Sequence, residues 1–360
     1  MLDGPKVVTR TDYMQKASNS QALNVTYPKS DSSLISLIRG TLVYLAFHGH
    51  GLRIGLEISL CFLLYVSFSL FLPWEAWGVD IKWVALYSWF LACIIVSIFD
   101  HVLLFQPVKN FRNALRFELA GMYDRALMVL ESIGPSSKHF VRCPLDLYHF
   151  RRAEILMNKE LFDDAERELS LAQQAGISKD LYLQTMAHVL RAKGDFAGAF
   201  EKLTELEKVS GDSSLLALEK GLTIWTQGKN FWDAKKAFEE TLTHLDRLHT
   251  SGESAHSIAR AYIECARLKI GYAEEALPEL SHWVERFRQT ALYIETLRPI
   301  ASLLMMERAT YLVTHKEPAL ALRDLQQALD FCCFPKVREK ANFISDELDW
   351  RFQIKAPTKA

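Results

Sequence analysis

The chain lacks an excess of charge of either sign. Its 360 residues carry 42 lysines and arginines against 43 aspartates and glutamates. Without a basic excess it has little electrostatic reason to bind nucleic acid, and it has no acidic run that would store cations. Charge is instead nearly absent from Ile54 to Phe99 and dense after Lys109. This uneven distribution, in a chain longer than one average domain, predicts two parts with different surroundings.

Cysteine is also scarce, and the ligand patterns of metal sites are missing. The six cysteines include no CxxC pair, and His48 and His50 have no third ligand nearby. No glycine-rich loop is followed by Lys-Ser/Thr, so no phosphate loop is expected. We therefore expect buried, reduced thiols in a reducing compartment, no metal and no other cofactor.

Two long apolar runs occupy the first third of the chain. Residues 54–72 contain one charged residue, Glu57, and residues 83–99 contain none and can be extended to 105. Each run is long enough to cross a hydrocarbon core of about 30 Å as a helix. The segment between them has the helix breakers and indole rings expected at a membrane surface. We predict transmembrane helices at 54–72 and 83–105, joined by a short external turn at 73–82.

The orientation of this hairpin follows from the lysines and arginines beside it, because such residues are enriched on the cytoplasmic side. The connecting turn holds only Lys82, whereas both flanks are basic. Both chain ends are therefore expected in the cytoplasm. Residues 1–33 are polar and predict a flexible cytoplasmic tail, and residues 34–53 suggest an interfacial helix. The flanking residues are Lys29, Arg39 and Arg53 before the hairpin, and Lys109, Arg112, Arg116 and Arg125 after it.

After Lys109 the apolar residues follow helical spacing, and a short pattern recurs. Each copy has a turn residue, an aromatic, an alanine three residues later and a large apolar residue four further on. The copies are GMYDRALMVL, ELFDDAEREL, GDFAGAFEKL and KNFWDAKKAF. Their aromatics are Tyr123, Phe162, Phe196 and Phe231, spaced 39, 34 and 35 residues apart.

Small residues recur where helices should cross. The second helix of each unit has Ala126, Ala165, Ala199 or Ala234, followed by Leu130, Leu169, Leu203 or Phe238. The first helix has Ala114, Ala153, Ala187 or Gly221. Small side chains let two backbones approach, while the large ones fill the space beside them.

These units resemble the tetratricopeptide repeat superfamily, over residues 107–335. The resemblance implies an α-solenoid with a C-terminal solvating helix, the capping helix and tail being residues 336–360. With the two-helix transmembrane hairpin before it, the expected fold is all-α. Two further units, near Gly271 and Glu317, are degenerate. Pro278 falls where the second helix of the fifth unit should continue, which leaves the register between about 250 and 300 open.

The resemblance also implies a partner-binding groove along the first helices of the units, suited to an acidic or C-terminal peptide or to a partner helix. Its positions would be Arg151, Asn158, Gln184, His188, Arg191, Lys220 and Thr223. Three polar residues near the cytoplasmic ends of the spans, Glu57, Asp100 and His101, are expected to make polar contacts between membrane helices.

We therefore expect a scaffold and not an enzyme, anchored in a bacterial inner membrane and recruiting protein partners. Its layout is similar to the repeat-bearing inner-membrane component of Pel-type exopolysaccharide export, which implies a membrane-bound regulator or synthase subunit as partner. Two alternatives remain open. One is a HemY-like repeat protein of haem biosynthesis, and the other is a membrane enzyme that uses Glu57, Asp100 and His101.

Overall fold

The computed structural model describes residues 50–71, 81–99, 106–136, 142–211, 213–248 and 253–354. These residues form fifteen α-helices and one 3-10 turn, and the described ranges contain no β-strand. The prediction of an all-α chain is therefore confirmed for this part of the sequence. The described residues fall into two compact units. The hairpin unit comprises residues up to 114 together with 127–148, and the repeat unit comprises 115–126 together with 149–354.

The hairpin unit begins with α1 (His50–Phe71) and α2 (Ile81–Phe99), which pack against each other. On α2 the buried face is formed by Ser88, Ala92 and Val96, spaced four residues apart so that they share one side of the helix. Their small size lets the two backbones approach. The large apolar side chains of both helices point outward. Among the residues that the structure describes, no helix is both long enough and apolar enough to cross a membrane.

Several predicted N-terminal features cannot be compared with the structure. The flexible tail, the interfacial helix before residue 50 and most of the external turn lie outside the described residues, as do residues 100–105 of the second predicted span.

Thirteen further helices follow the hairpin, and from α6 to α15 each packs against the next along the chain. This order is typical of stacked helix pairs joined by short turns. They are α3 (Gln106–Leu119), α4 (Tyr123–Glu131), α5 (Leu145–Asn158), α6 (Phe162–Gln174), α7 (Lys179–Lys193), α8 (Phe196–Ser210), α9 (Ser214–Gln227), α10 (Phe231–Leu248), α11 (Glu253–Lys269), α12 (Ala273–Tyr293), α13 (Arg298–Thr314), α14 (Pro318–Phe331) and α15 (Pro335–Phe352).

The repeated small and large residues occupy the helix crossings, as the sequence predicts. Ala165, Ala199 and Ala234 are fully buried, and so are the large residues that follow them. At Gly221 the fit is tightest, because a Cβ atom there would lie 2.7 Å from the ring of Phe238. The phenylalanine that replaces leucine in this unit therefore requires a glycine on the facing helix.

The fifth unit keeps this arrangement despite its proline. Helix α12 continues through Pro278 to Tyr293, although a proline inside a helix removes one backbone hydrogen bond. Ala276 and Leu280 are fully buried, like the alanine and large residue of the earlier units. The next unit repeats them as Ala321 and Leu325. The register that the sequence left open is thus set by the same pair of residue types.

A buried ion pair joins the last helix pair. The guanidinium of Arg308 on α13 donates through Nε and Nη2 to the two carboxylate oxygens of Asp324 on α14, both at 2.7 Å. Both residues are buried. Two parallel hydrogen bonds of this kind are the strongest arrangement available to such a pair.

The repeat unit also joins its two ends. The backbone N–H of Cys333, just before α15, donates to the carbonyl of Leu119 at the end of α3, at 2.8 Å. The hydroxyl of Tyr123 lies 3.4 Å from the Cys333 carbonyl. Between them Gly121 has a φ of 74°, and a Cβ there would lie 3.2 Å from the Cβ of Cys333. Glycine is needed at this point both for its backbone and for its lack of a side chain.

Candidate partner-binding surface

Two of the predicted groove residues hold a buried carboxylate of α3, the first helix of the preceding unit. Arg151 and Asn158 are seven residues apart on α5, so they lie on the same face two turns apart. Arg151 donates through Nη2 to Oε2 of Glu118, and Asn158 donates to its Oε1 at 2.6 Å. Arg151 also donates to Glu154 at 2.9 Å. Burial alone would lower the pKa of Arg151, but Glu118 and Glu154 outweigh it and raise that pKa.

A similar arrangement recurs two helix pairs further along, with the donors now on the earlier helix. Gln184 and Arg191, again seven residues apart, donate from α7 to Oε1 and Oε2 of Glu219 on α9, at 3.1 and 2.8 Å. The hydroxyl of Thr223 donates to the backbone carbonyl of Glu219 at 2.8 Å. Burial would raise the pKa of Glu219, but Arg191, His188 and Gln184 together outweigh it, so that pKa is lowered from its ordinary value of 4.5.

The remaining groove positions are more open. His188 is half-buried on α7, and its charge would favour ionised Glu219. Lys220 is also half-buried and donates to Glu207, 3.1 Å away. The structure therefore gathers Arg151 with Asn158, and Gln184, His188 and Arg191 with Thr223, in two clusters. Lys220 is paired elsewhere.

The carboxylates Glu118 and Glu219 are the members of these clusters that sequence reasoning missed. A signal for them existed in the register of the first helices. Glu118 and Arg191 each lie four residues after the small crossing residue of their helix, whereas Arg151 and Glu219 each lie two residues before it. In both clusters, the residue four after the crossing residue of one first helix contacts the residue two before the crossing residue of the next unit's first helix. The acidic and basic residues change places: Glu118 contacts Arg151 in one cluster, and Arg191 contacts Glu219 in the other.

Only one of the three residues predicted to make contacts between membrane helices lies among the described residues. Glu57 is half-buried on α1, whereas Asp100 and His101 lie outside the described residues. In the described ranges no three His, Cys, Asp or Glu side chains come together as a metal site would require.

The stacked helix pairs, with buried polar clusters between them, define an all-α fold of repeated helix pairs.

Comparison with solved structures finds similarity to two proteins. The chain is similar to the crystal structure of the P58(IPK) TPR domain, with 12% identity over 94% of this chain and 84% of that chain, at a TM-score of 0.28. It is also similar to the crystal structure of yeast Tom70, with 12% identity over 98% of this chain and 66% of that chain, at a TM-score of 0.38. No family model and no curated protein matches the chain. With TM-scores this low neither likeness bears on function, and the fold assignment rests on the repeated helix pairs.

Proposed function

We propose that this protein is a membrane-anchored scaffold whose helical repeats recruit protein partners to a complex in a bacterial inner membrane. The observation that carries the proposal is the inverted surface of the hairpin unit, where large apolar side chains point outward and small ones inward. The repeat unit has the opposite arrangement. A protein built in this way has one part suited to lipid and another suited to water and to other proteins.

The outward side chains of α1 and α2 support the lipid assignment. Phe62 and Leu70 on α1 are 62% and 71% exposed, and Phe90 on α2 is 64% exposed. Apolar surface of this extent is unfavourable in water and marks a surface that is covered by something else. The transmembrane segments predicted from the sequence at 54–72 and 83–105 favour a bilayer as that cover. Lipid is therefore proposed as one partner of the chain.

The orientation and the pathway rest on the sequence. Basic residues on both flanks of the hairpin favour a cytoplasmic N-terminus and a cytoplasmic repeat unit. The similarity in layout to the repeat-bearing component of Pel-type exopolysaccharide export favours a polysaccharide synthesis and secretion machine as the complex. The partner would then be a membrane-bound regulator or synthase subunit.

Extraction of membranes with alkaline carbonate tests the anchor. The full chain is expected in the membrane pellet, and in the soluble fraction once Phe62, Leu63 and Phe90 are all changed to Arg. A matched set of changes to Arg at Leu161, Trp232 and Leu320, exposed apolar residues of the repeat unit, should leave the chain in the pellet. A wild-type chain that remains in the supernatant after carbonate treatment would refute the anchor.

The recruiting role needs variants that leave the repeats folded. Arg191→Glu is unsuitable because it would place two carboxylates together in a buried site. His188→Ala and Lys220→Ala change half-buried members of the predicted groove. Crosslinking in membranes should capture a protein partner with the wild type and less of it with these variants. Loss of function on changing Glu57, Asp100 and His101 to Ala, with partners still bound, would favour the enzyme alternative.

A further inference from the structure

The polar clusters along the repeat unit do not all have the same charge balance. Glu118 and Glu219 each accept from one guanidinium and one amide, from Arg151 and Asn158 or from Arg191 and Gln184. Arg151 also faces a second carboxylate. These two clusters therefore have no positive excess.

A third buried carboxylate, Glu307 on α13, is surrounded by lysines instead. Lys340 of α15 pairs with its Oε1, and Nζ of Lys269 on α11 lies 3.7 Å from its Oε2. The Glu307 side chain is 6% exposed, whereas those of Lys340 and Lys269 are 35% and 38% exposed. One buried carboxylate is thus shared by two amines that solutes can reach, and the site has a net positive charge.

A cavity of about 130 Å³ lies beside this group, with Lys269 and Glu307 in its lining. The rest of the wall is supplied by α11 and α13, through Cys265, Leu268, Thr310, Tyr311 and Thr314. The cavity is large enough for one short acidic side chain and places an amine at its wall. A carboxylate entering the cavity would form an ion pair with the ammonium of Lys269, whose distance to Glu307 is long at 3.7 Å.

The positive surface continues one helical turn away on α15, at Lys336. The residue is solvent-exposed. Protein surrounds its amine and, together with the nearby charge of Arg191, lowers the pKa of Lys336 to about 8, against the opposing effect of the Glu339 charge. A negative charge placed nearby would relieve that repulsion.

We propose that Lys269, Lys336 and Lys340 bind an acidic segment of a partner protein, with one of its carboxylates in the cavity beside Glu307. The proposal rests on the scaffold function proposed above. An extended peptide fits the spacing, because its alternate side chains are about 6.7 Å apart and lysines one helical turn apart are separated by about 5.4 Å along the axis.

Binding of fluorescently labelled hexaglutamate to the full chain in neutral detergent tests the site. Lys269→Glu with Lys336→Glu should weaken the affinity, measured by fluorescence anisotropy at low salt, by at least about tenfold. The matched control is Lys208→Glu with Lys229→Glu, which makes the same charge change at exposed lysines on α8 and before α10. The control pair should change the affinity by less than about twofold. If the variant with both Lys269→Glu and Lys336→Glu does not fold, Lys336→Gln replaces it in the test and is expected to weaken binding about threefold.

Three results would overturn the proposal. One is equal affinity of the wild type and the Lys269/Lys336 variant, and another is an equal loss in the control pair, which would indicate attraction by overall charge. The third is displacement of the peptide by inorganic phosphate, or by vesicles containing anionic phospholipid, at the same concentration of charge. Failure here leaves the scaffold proposal standing, because that proposal is judged by membrane extraction and by crosslinking of the wild type.

Discussion

The hairpin unit and the repeat unit use the same contact between helices but opposite outer surfaces. In the hairpin unit Ser88 and Ala92 face the neighbouring helix, as Ala165 and Ala199 do in the repeat unit. The outward residues differ, since those of α1 and α2 are large and apolar whereas those of the repeats are mixed and charged. Small residues therefore determine how closely the helices pack. The outward residues determine whether the helix pair is stable in water or needs apolar surroundings.

The largest effect is expected where the repeat unit buries charge, whereas the described residues of the hairpin unit include no buried charged side chain. Asp324→Ala leaves the buried guanidinium of Arg308 without its carboxylate and should lower the free energy of unfolding by about 3 to 5 kcal/mol. Thermal unfolding of the full chain in detergent, followed by circular dichroism, measures it. Asp163→Ala removes an exposed partner of Lys193 and is the control. Equal losses in both variants would show that burial is not what makes the first pair important.

The next effect compares small residues in the two units. Gly221→Leu would force a side chain into the ring of Phe238 and should cost about 3 kcal/mol, with partial recovery when Phe238→Ala is added. Ala92→Leu at the α1–α2 contact should separate those helices without unfolding the repeats. Near-ultraviolet circular dichroism and unfolding of the full chain distinguish the two outcomes. Failure of Phe238→Ala to rescue Gly221→Leu would contradict the proposed fit.

A smaller effect is expected at two glycines with the same backbone strain. Gly121 and Gly194 both have positive φ, at 74° and 88°, but only Gly121 faces another part of the chain. Replacing either by Ala should cost about 1 kcal/mol for the backbone. Gly121→Ala should also speed alkylation of the Cys333 thiol, because the added methyl group would displace Cys333 away from Leu119. Equal alkylation rates in the two variants would argue against a constraint specific to Gly121.

The smallest effect is a dependence on pH. The pKa of Glu219 is lowered in the folded protein, so its contribution to stability is complete above the ordinary value of 4.5 and is lost as the pH falls through the lower, folded value. Glu219→Gln removes this contribution. The stability difference between wild type and variant, measured by urea unfolding at several pH values, should shrink toward acid. A difference that stays constant with pH would show that Glu219 is not ionised in the fold.

The sequence predicted the parts of the fold that depend on local requirements. Ala165, Ala199 and Ala234 recur at the tetratricopeptide interval because every helix crossing needs a small residue, and such a need is visible in one chain. The clusters around Glu118 and Glu219 depend on how neighbouring helices are offset. In the sequence that offset appears only in the order of acidic and basic residues: Glu118 and Arg191 occupy one position of the first helices, and Arg151 and Glu219 occupy the other. Asp100 and His101 lie outside the described residues, so their predicted role is still a prediction.

The contact between Leu119 and Cys333 had no signal in the sequence, because it joins positions more than two hundred residues apart through backbone groups. In an open stack of repeats the outermost helices have one neighbour each and are free to fray. A hydrogen bond from the end of α3 to the segment before α15 gives both terminal elements a second neighbour. Loss of the final helix should therefore loosen the first repeat, and the array should melt in a single cooperative step.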